Sequence, residues 1–253
     1  MAKLKYKRIL LKMSGEVFKG SLSSGVDYDV VVSIARRVKK IRDMGVEIGI
    51  VIGGGNIWRY RDNRAPNRPE KSVRGTGGLG RYELDRVTSD TMGMIATNMN
   101  ALAFEDVLNS IGCEALALTS LPMPSTIRTY TPRRGRKAIS KGKVVIFGGG
   151  TGSPFFTTDS AAAIRALEMK CDILMKATKV DYVYDKDPMK FKNAKSFKNL
   201  TYDEVLDNGL GVMDMTCASL CKEGKLPMLV FNLNKQGLIE DACKGKNVGT
   251  LII

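Results

Sequence analysis

A chain of 253 residues, 43% apolar and 26% charged, is ample for a sizeable core and has the composition of an ordinary soluble globular protein. Its 40 Lys and Arg against 26 Asp and Glu give a formal net charge of +14, which points to acidic partners such as nucleotides, nucleic acid or anionic lipid. The lack of any histidine rules out a Ser-His or Cys-His relay, and five cysteines without a CxxC pair make a zinc site improbable.

In chain order, Met1-Ala-Lys-Leu-Lys-Tyr-Lys-Arg8 lacks the apolar core of a signal peptide. No later stretch approaches the roughly 18 apolar residues of a membrane span, so a cytoplasmic chain without a membrane partner is expected. The first strand, Ile9 to Met13, runs into Lys12-Met13-Ser14-Gly15-Glu16. That places a lysine, a hydroxyl and a glycine where open parallel sheets bind ligands, although a lysine there is also explained by exposure alone. Val31, Ile34, Ala35, Val38 and Ile41 recur at helical spacing, with Asp27 or Asp29 as N-cap and Gly45 as stop. The strand Glu47 to Ile52 closes this βαβ unit and opens into Gly53-Gly54-Gly55-Asn56, where three missing side chains let a phosphate chain approach the backbone. Arg59 follows with a guanidinium fork suited to phosphate oxygens.

The segment from Arg59 to Arg86 holds eight Lys or Arg against four Asp or Glu and is rich in Pro and Gly, as a long basic loop over about 60–86 would be. Asp90 then heads the helical pattern Met92 to Ser110, either as N-cap or as a carboxylate for ribose hydroxyls. The strand Glu114 to Thr119 and a run of six cations from Arg133 to Lys143 precede the strand Lys143 to Phe147. After it come Gly148, Gly149, Gly150 and Gly152, three threonines and Pro154, leading to the helix Ser160 to Lys170. A glycine- and hydroxyl-rich turn into a helix start presents N–H groups and the helix dipole to an anion. Past the strand Ile173 to Ala177, Thr178, Tyr184 and Asp187 offer a hydroxyl, an aromatic face and a carboxylate to an adenosine, or form a polar loop with Asx-Pro turn chemistry. Tyr202 to Gly209, with Thr201 and Glu204 as a capping box, and Asp214 to Glu223 read as helices, with Cys217 and Cys221 as buried thiols. Met228 to Asn232 is the last predicted strand.

Strands alternating with helices imply an α/β fold, a three-layer αβα sandwich around a mainly parallel sheet, as one domain over 1–253. No GxxxxGKS/T run exists and Gly53–Gly55 lacks GxGxxG spacing, so neither a Walker loop nor a dinucleotide fold is present. What remains is chemistry that needs positioning, positive charge and N–H donors, which is phosphoryl transfer.

The ordered set of Tyr6-Lys-Arg-Ile-Leu-Leu-Lys-Met-Ser-Gly-Glu, Val51-Ile-Gly-Gly-Gly-Asn, Asp90-Thr-Met-Gly-Met, Thr151-Gly-Ser-Pro-Phe-Phe-Thr-Thr-Asp-Ser and Lys176-Ala-Thr-Lys-Val-Asp closely resembles the bacterial UMP kinase branch of the amino acid kinase family. The resemblance implies magnesium-dependent transfer of the ATP γ-phosphoryl group to UMP, with no organic cofactor. It places Lys12, Met13, Ser14, Gly15, Gly55, Arg59, Thr178, Tyr184 and Asp187 at ATP, and Gly54, Asp90, Thr151, Gly152, Ser153, Pro154, Phe155, Phe156, Thr157 and Thr158 at UMP. Asp159 is expected to orient the centre, with helix capping as the rival duty, and Lys12, Arg59 and Lys176 to stabilise the moving charge. A homohexamer with GTP as activator and UTP as inhibitor is also implied. Three departures stand out: the long basic connection before Asp90, Ser89 in place of a glycine, and Tyr182 where the adenosine loop has glycine. A kinase for another small acceptor, or a nucleic-acid-binding role for the basic loop, are the alternatives.

Overall fold

The computed structural model describes residues 4–59, 84–235 and 237–253. The expected basic loop lies outside the described residues over 60–83. Its far end is corrected, because Asp85 is the N-cap of a helix that starts at Arg86.

The strands are β1 Arg8–Met13, β2 Glu47–Ile52, β3 Ala115–Thr119, β4 Arg128–Thr129, β5 Val144–Gly148, β6 Ile173–Thr178, β7 Val183–Tyr184, β8 Ser196–Phe197, β9 Asn199–Leu200, β10 Met228–Asn232 and β11 Thr250–Ile252. The helices are α1 Tyr28–Asp43, α2 Arg86–Ser110, α3 Pro132–Ile139, α4 Thr158–Met169, α5 Tyr202–Asp207, α6 Met215–Glu223 and α7 Leu238–Cys243, with a 3-10 turn at Gly15–Lys19. Nine strands form one sheet in the order β4-β3-β5-β2-β1-β6-β10-β11-β9, parallel except for the β10–β11 pair, while β7 and β8 make a separate hairpin. The chain builds outward from β1 through β2 and then crosses to β6 on the other side. The carboxyl ends of β2, β1 and β6 therefore lie side by side at the point where the winding reverses.

Alternation along β1 decides what faces that point. Ile9, Leu11 and Met13 enter the core layer under α1 and α2, whereas Leu10 joins the opposite layer with Ala162, Ala163 and Ala166 of α4. Lys12 shares the parity of Leu10, and Lys176 that of Leu174, so both lysines face the α4 side. The β1–β6 register puts Lys12 opposite Lys176.

Helix starts explain the main differences from the sequence reading. The Asp85 carboxylate accepts from the Val87 and Thr88 amides at 2.9 and 3.2 Å, so α2 begins six residues before its apolar pattern does. Asp90 is thus one turn inside the helix and caps nothing. Thr157 caps α4 by accepting from the Asp159 amide at 3.0 Å, which removes the capping duty considered for Asp159. The basic run after Thr131 is a solvated face: Thr131 caps α3, Pro132 opens it, and Gly135, Ala138 and Ile139 are buried beneath Arg133, Arg134, Arg136 and Lys137. Asp27, not Asp29, caps α1, and Thr201 with Glu204 forms the expected capping box of α5. Cys217 and Cys221 are buried, and all five thiols are free.

Candidate active site at the carboxyl edge of the sheet

Two adjacent parallel strands lie ~4.8 Å apart, so Lys12 and Lys176 on one face would repel each other without a counter-ion. The first turn of α4 supplies it. Asp159 Oδ1 is 2.6 Å from Lys12 Nζ, and Oδ2 is paired with Lys176 Nζ, whose remaining contact is the Val212 carbonyl. Side-chain exposures of 12 to 14% make this a nearly closed triad. Burial works against ionisation of Asp159, but Lys12 and Lys176 overcome it and hold the carboxyl below its ordinary value. Burial likewise holds Lys176 below the usual lysine value, against the pull of Asp159 and with the push of Lys12.

On one side of the triad is a cavity of about 170 Å³. Of the residues expected at UMP, Gly54, Asp90, Ser153, Phe156, Thr157 and Thr158 line it; Thr151, Gly152, Pro154 and Phe155 do not. Gly55, expected at ATP, lines this cavity instead. Asp90 receives Arg86 Nε at 2.8 Å on both oxygens and the Phe155 amide at 2.9 Å on Oδ2. A carboxylate has about four lone-pair sites, so acceptor capacity for hydroxyls remains. The same contact holds Phe155 at a φ of 70°, a conformation costing a non-glycine residue ~1–2 kcal/mol. The amino end of α4 completes the cavity through Thr157 and Thr158.

On the other side is a cavity of about 380 Å³ lined by Thr178, Tyr184 and Asp187 together with Tyr182 and the segment Gly209–Val212. Asp187 also does what turn chemistry requires, accepting from the Met189 amide at 2.9 Å. Thr178 Oγ1 donates to the Val180 carbonyl at 2.7 Å. Of the other residues expected at ATP, Lys12, Met13, Ser14, Gly15 and Arg59 line neither of these two cavities. Met13 is fully buried, so only its main chain can meet a nucleotide; Ser14 accepts from the Glu16 amide at 3.4 Å; Gly15 lies against Gly53. Arg59 reaches back to this turn, with Nη2 2.9 Å from Glu16 Oε1 and Nε donating to the Gly55 carbonyl at 3.0 Å.

Several residues here were not singled out from sequence. Asp214 caps α6 through the Cys217 amide at 2.8 Å, accepts from Ser160 Oγ at 2.8 Å and also takes the Thr157 hydroxyl, so it ties the start of α6 to the start of α4 beside the smaller cavity. Asn56 and Asn100 exchange amide hydrogen bonds at 2.9 and 2.8 Å and clamp the Gly25 and Gly53 carbonyls at 2.8 and 2.7 Å. Trp58 lines the smaller cavity and donates to Ser89 Oγ at 3.0 Å, which gives the departure from glycine at position 89 a local use. An asparagine directly after a glycine run and the chain's single tryptophan two residues beyond that asparagine were the available signals.

The family model described as "Amino acid kinase family" matches residues 7–232. The UMP kinase of Bacillus anthracis is 34% identical, with 98% of this chain and 96% of that one covered and a TM-score of 0.88. The UMP kinase of Ureaplasma parvum is 35% identical over 98% of this chain and 99% of its own, with a TM-score of 0.86. The uridylate kinase of Archaeoglobus fulgidus, at 23% identity, covers 97% of this chain and 99% of its own with a TM-score of 0.70, a likeness of fold.

Proposed function

Because the chain belongs to the amino acid kinase family, we propose that it transfers the γ-phosphoryl group of ATP to UMP, giving ADP and UDP. The observation that carries this reading is the Lys12–Asp159–Lys176 triad at the reversal point of the sheet, near one cavity lined by six of the ten residues expected at UMP and another lined by Thr178, Tyr184 and Asp187.

In the transfer, an oxygen of the UMP phosphate forms a bond to the γ-phosphorus as the bond from that phosphorus to the bridging β,γ-oxygen breaks, and the electron pair leaves with ADP. The acceptor is already an anion near neutral pH, so no strong base is required. The work is alignment and charge compensation in a site shielded from water. We assign Lys12 and Lys176 to the phosphoryl oxygens in transit, with Asp159 fixing both ammoniums, and Arg59 to the phosphate chain beside Gly55. Asp90 takes the ribose hydroxyls, Ser153, Phe156, Thr157 and Thr158 of the loop from Thr151 to Thr158 face UMP, and Thr178, Tyr184 and Asp187 surround adenosine. Magnesium would be held chiefly by water and the nucleotide phosphates, because both Asp159 oxygens are taken by Lys12 and Lys176 and the described residues contain no group of three His, Cys, Asp or Glu placed to hold a metal. When bound it screens the charge between the two nucleotides.

We further read the chain as one amino acid kinase domain working in the cytoplasm, in keeping with five free thiols and with no helix among the described residues long and apolar enough to cross a membrane. The homohexamer draws support from Ile95 and Met99, exposed one turn apart on α2, and from Tyr28, whose hydroxyl reaches Asp106 of that helix at 3.4 Å. Control by GTP and UTP draws support from the Asn56 clamp, which ties the loop at Gly25 to the glycines beside the nucleotides. ADP production with UMP, CMP, dUMP and no acceptor, with and without GTP or UTP, tests the reading. UMP should give the fastest turnover, and a rate no higher than the blank at any magnesium concentration sinks the proposal.

A further inference from the structure

Arg165 lies on α4 only 5% exposed, touches neither cavity, and has no part in the transfer just described. A buried guanidinium is costly unless paired and hydrogen-bonded, so its partners show what it is kept for. Nη1 is paired with Glu168, and the Tyr130 ring packs against the guanidinium at 4.0 Å from its centroid. The Tyr130 hydroxyl donates to the same Glu168 oxygen at 2.6 Å, and burial with that bond pushes the phenol above its usual value and keeps it a donor. The third partner lies outside this cluster: Nη2 donates to Ser120 Oγ at 2.8 Å.

Ser120 is the surface against which the glycine loop after β5 is moulded. Its amide donates to the Gly148 carbonyl at 3.2 Å and its hydroxyl to the Gly150 carbonyl at 3.0 Å. A Cβ on Gly149 would fall 2.8 Å from Ser120 N, and one on Gly152 3.2 Å from Ser120 O. A serine hydroxyl has one proton to give, and its direction is otherwise free. By donating to the oxygen, Arg165 occupies a lone pair and turns that proton to Gly150. In a planar trans peptide the C=O and the next N–H point to opposite sides, so holding the Gly150 carbonyl leaves the Thr151 N–H directed away from Ser120.

We propose that Arg165, acting through Ser120, is the positioning residue for the acceptor loop and so sets the affinity for UMP; this rests on reading the loop as the UMP site. The test is Ser120→Ala, with Ser120→Thr as the variant that keeps the hydroxyl and Arg165→Lys as the one that keeps the charge without the fork. In Ser120→Ala the KM for UMP should rise about tenfold while the KM for ATP stays within about twofold, with a melting temperature lowered by a few degrees because Arg165 Nη2 loses its acceptor. Ser120→Thr should restore the UMP value, and Arg165→Lys should fall between. Backbone hydrogen exchange over 148–153 should quicken in Ser120→Ala, a readout independent of turnover. An active wild type with an unchanged UMP KM in Ser120→Ala, or with both KM values raised together, overturns the inference alone. A wild type without UMP-dependent ADP formation overturns the UMP reading, and unaltered exchange in Ser120→Ala then overturns the positioning as well.

Discussion

The glycine run after β2 and the one after β5 read alike in sequence and are glycine for different reasons. None of Gly53, Gly54 and Gly55 has a positive φ, and what they lack is room. A Cβ on Gly54 would sit 2.7 Å from the Gly93 carbonyl and 2.9 Å from Ala96 Cβ, because α2 crosses directly over the loop. Gly15 is tighter still, with the Gly53 carbonyl 2.2 Å from where its Cβ would be. After β5 a conformational constraint is added: Gly149, Gly150 and Gly152 have φ of 73°, 57° and 87°, and of these Gly149 is crowded as well, with Ser120 N 2.8 Å from where its Cβ would be. The first run is thin so that a helix can pack on it, and the second is twisted so that a loop can turn from strand into α4. The close approach of phosphate that three glycines suggest is, at Gly54, first of all the close approach of a helix.

Asp159 links the two regions, since it stands just past the second loop and pairs with Lys12, three residues before the Gly15 that packs against Gly53 of the first. Replacing it should have the largest effect. In Asp159→Asn, two buried ammoniums lose their counter-ion, and kcat should fall about a hundredfold or more, with the UMP and ATP KM values changing less. Removing one partner of a buried pair also costs about 3 kcal/mol, measurable by urea unfolding. The pH dependence fixes the sign. The carboxyl of Asp159 is held below its ordinary value in the folded protein, so its contribution is complete above the ordinary aspartate range and is lost as pH falls through the lower folded value. The acid limb of the wild-type stability curve should therefore be steeper than that of Asp159→Asn, and identical limbs would show that the triad is not formed in solution.

Local chemistry was legible in the sequence, and pairing across the chain was not. The six main strands, the glycine-rich strand ends and the capping box at Thr201 follow from apolar runs and from residue types that act on their near neighbours. Nothing local tells that Lys12 lies opposite Lys176, because that register is set by β6 docking beside β1 across most of the chain. The start of α2 was misplaced because its first turns are polar and carry no period, and α3 was hidden because its exposed face holds nearly all its charge. Ser120 escaped notice for the same reason: a serine after a strand gains meaning only from the buried arginine behind it.

A pair of substitutions at Gly54 tests whether packing rules the first loop. Gly54→Ala should destabilise by about 1–3 kcal/mol, since its Cβ meets backbone on one side and a helix side chain on the other. Gly54→Asn should be worse, because a longer side chain has still less space. Thermal melts of the two variants should keep that order.

At Gly150 the order should invert. The φ of 57° lies in the left-handed region, and the nearest obstacle to a Cβ is Met94 Cγ at 3.3 Å, the flexible part of a side chain that can give. Space is therefore secondary and backbone conformation dominates. Gly150→Ala should cost about 1 kcal/mol, while Gly150→Asn should cost less, because asparagine enters the left-handed region more readily than alanine. Alanine better than asparagine at 54 and asparagine better than alanine at 150 would establish the two constraints with four proteins and one melt each. If asparagine were the worse residue at both positions, crowding would govern the second loop too, and the twist at Gly150 would follow from its packing on Met94 and Ser120.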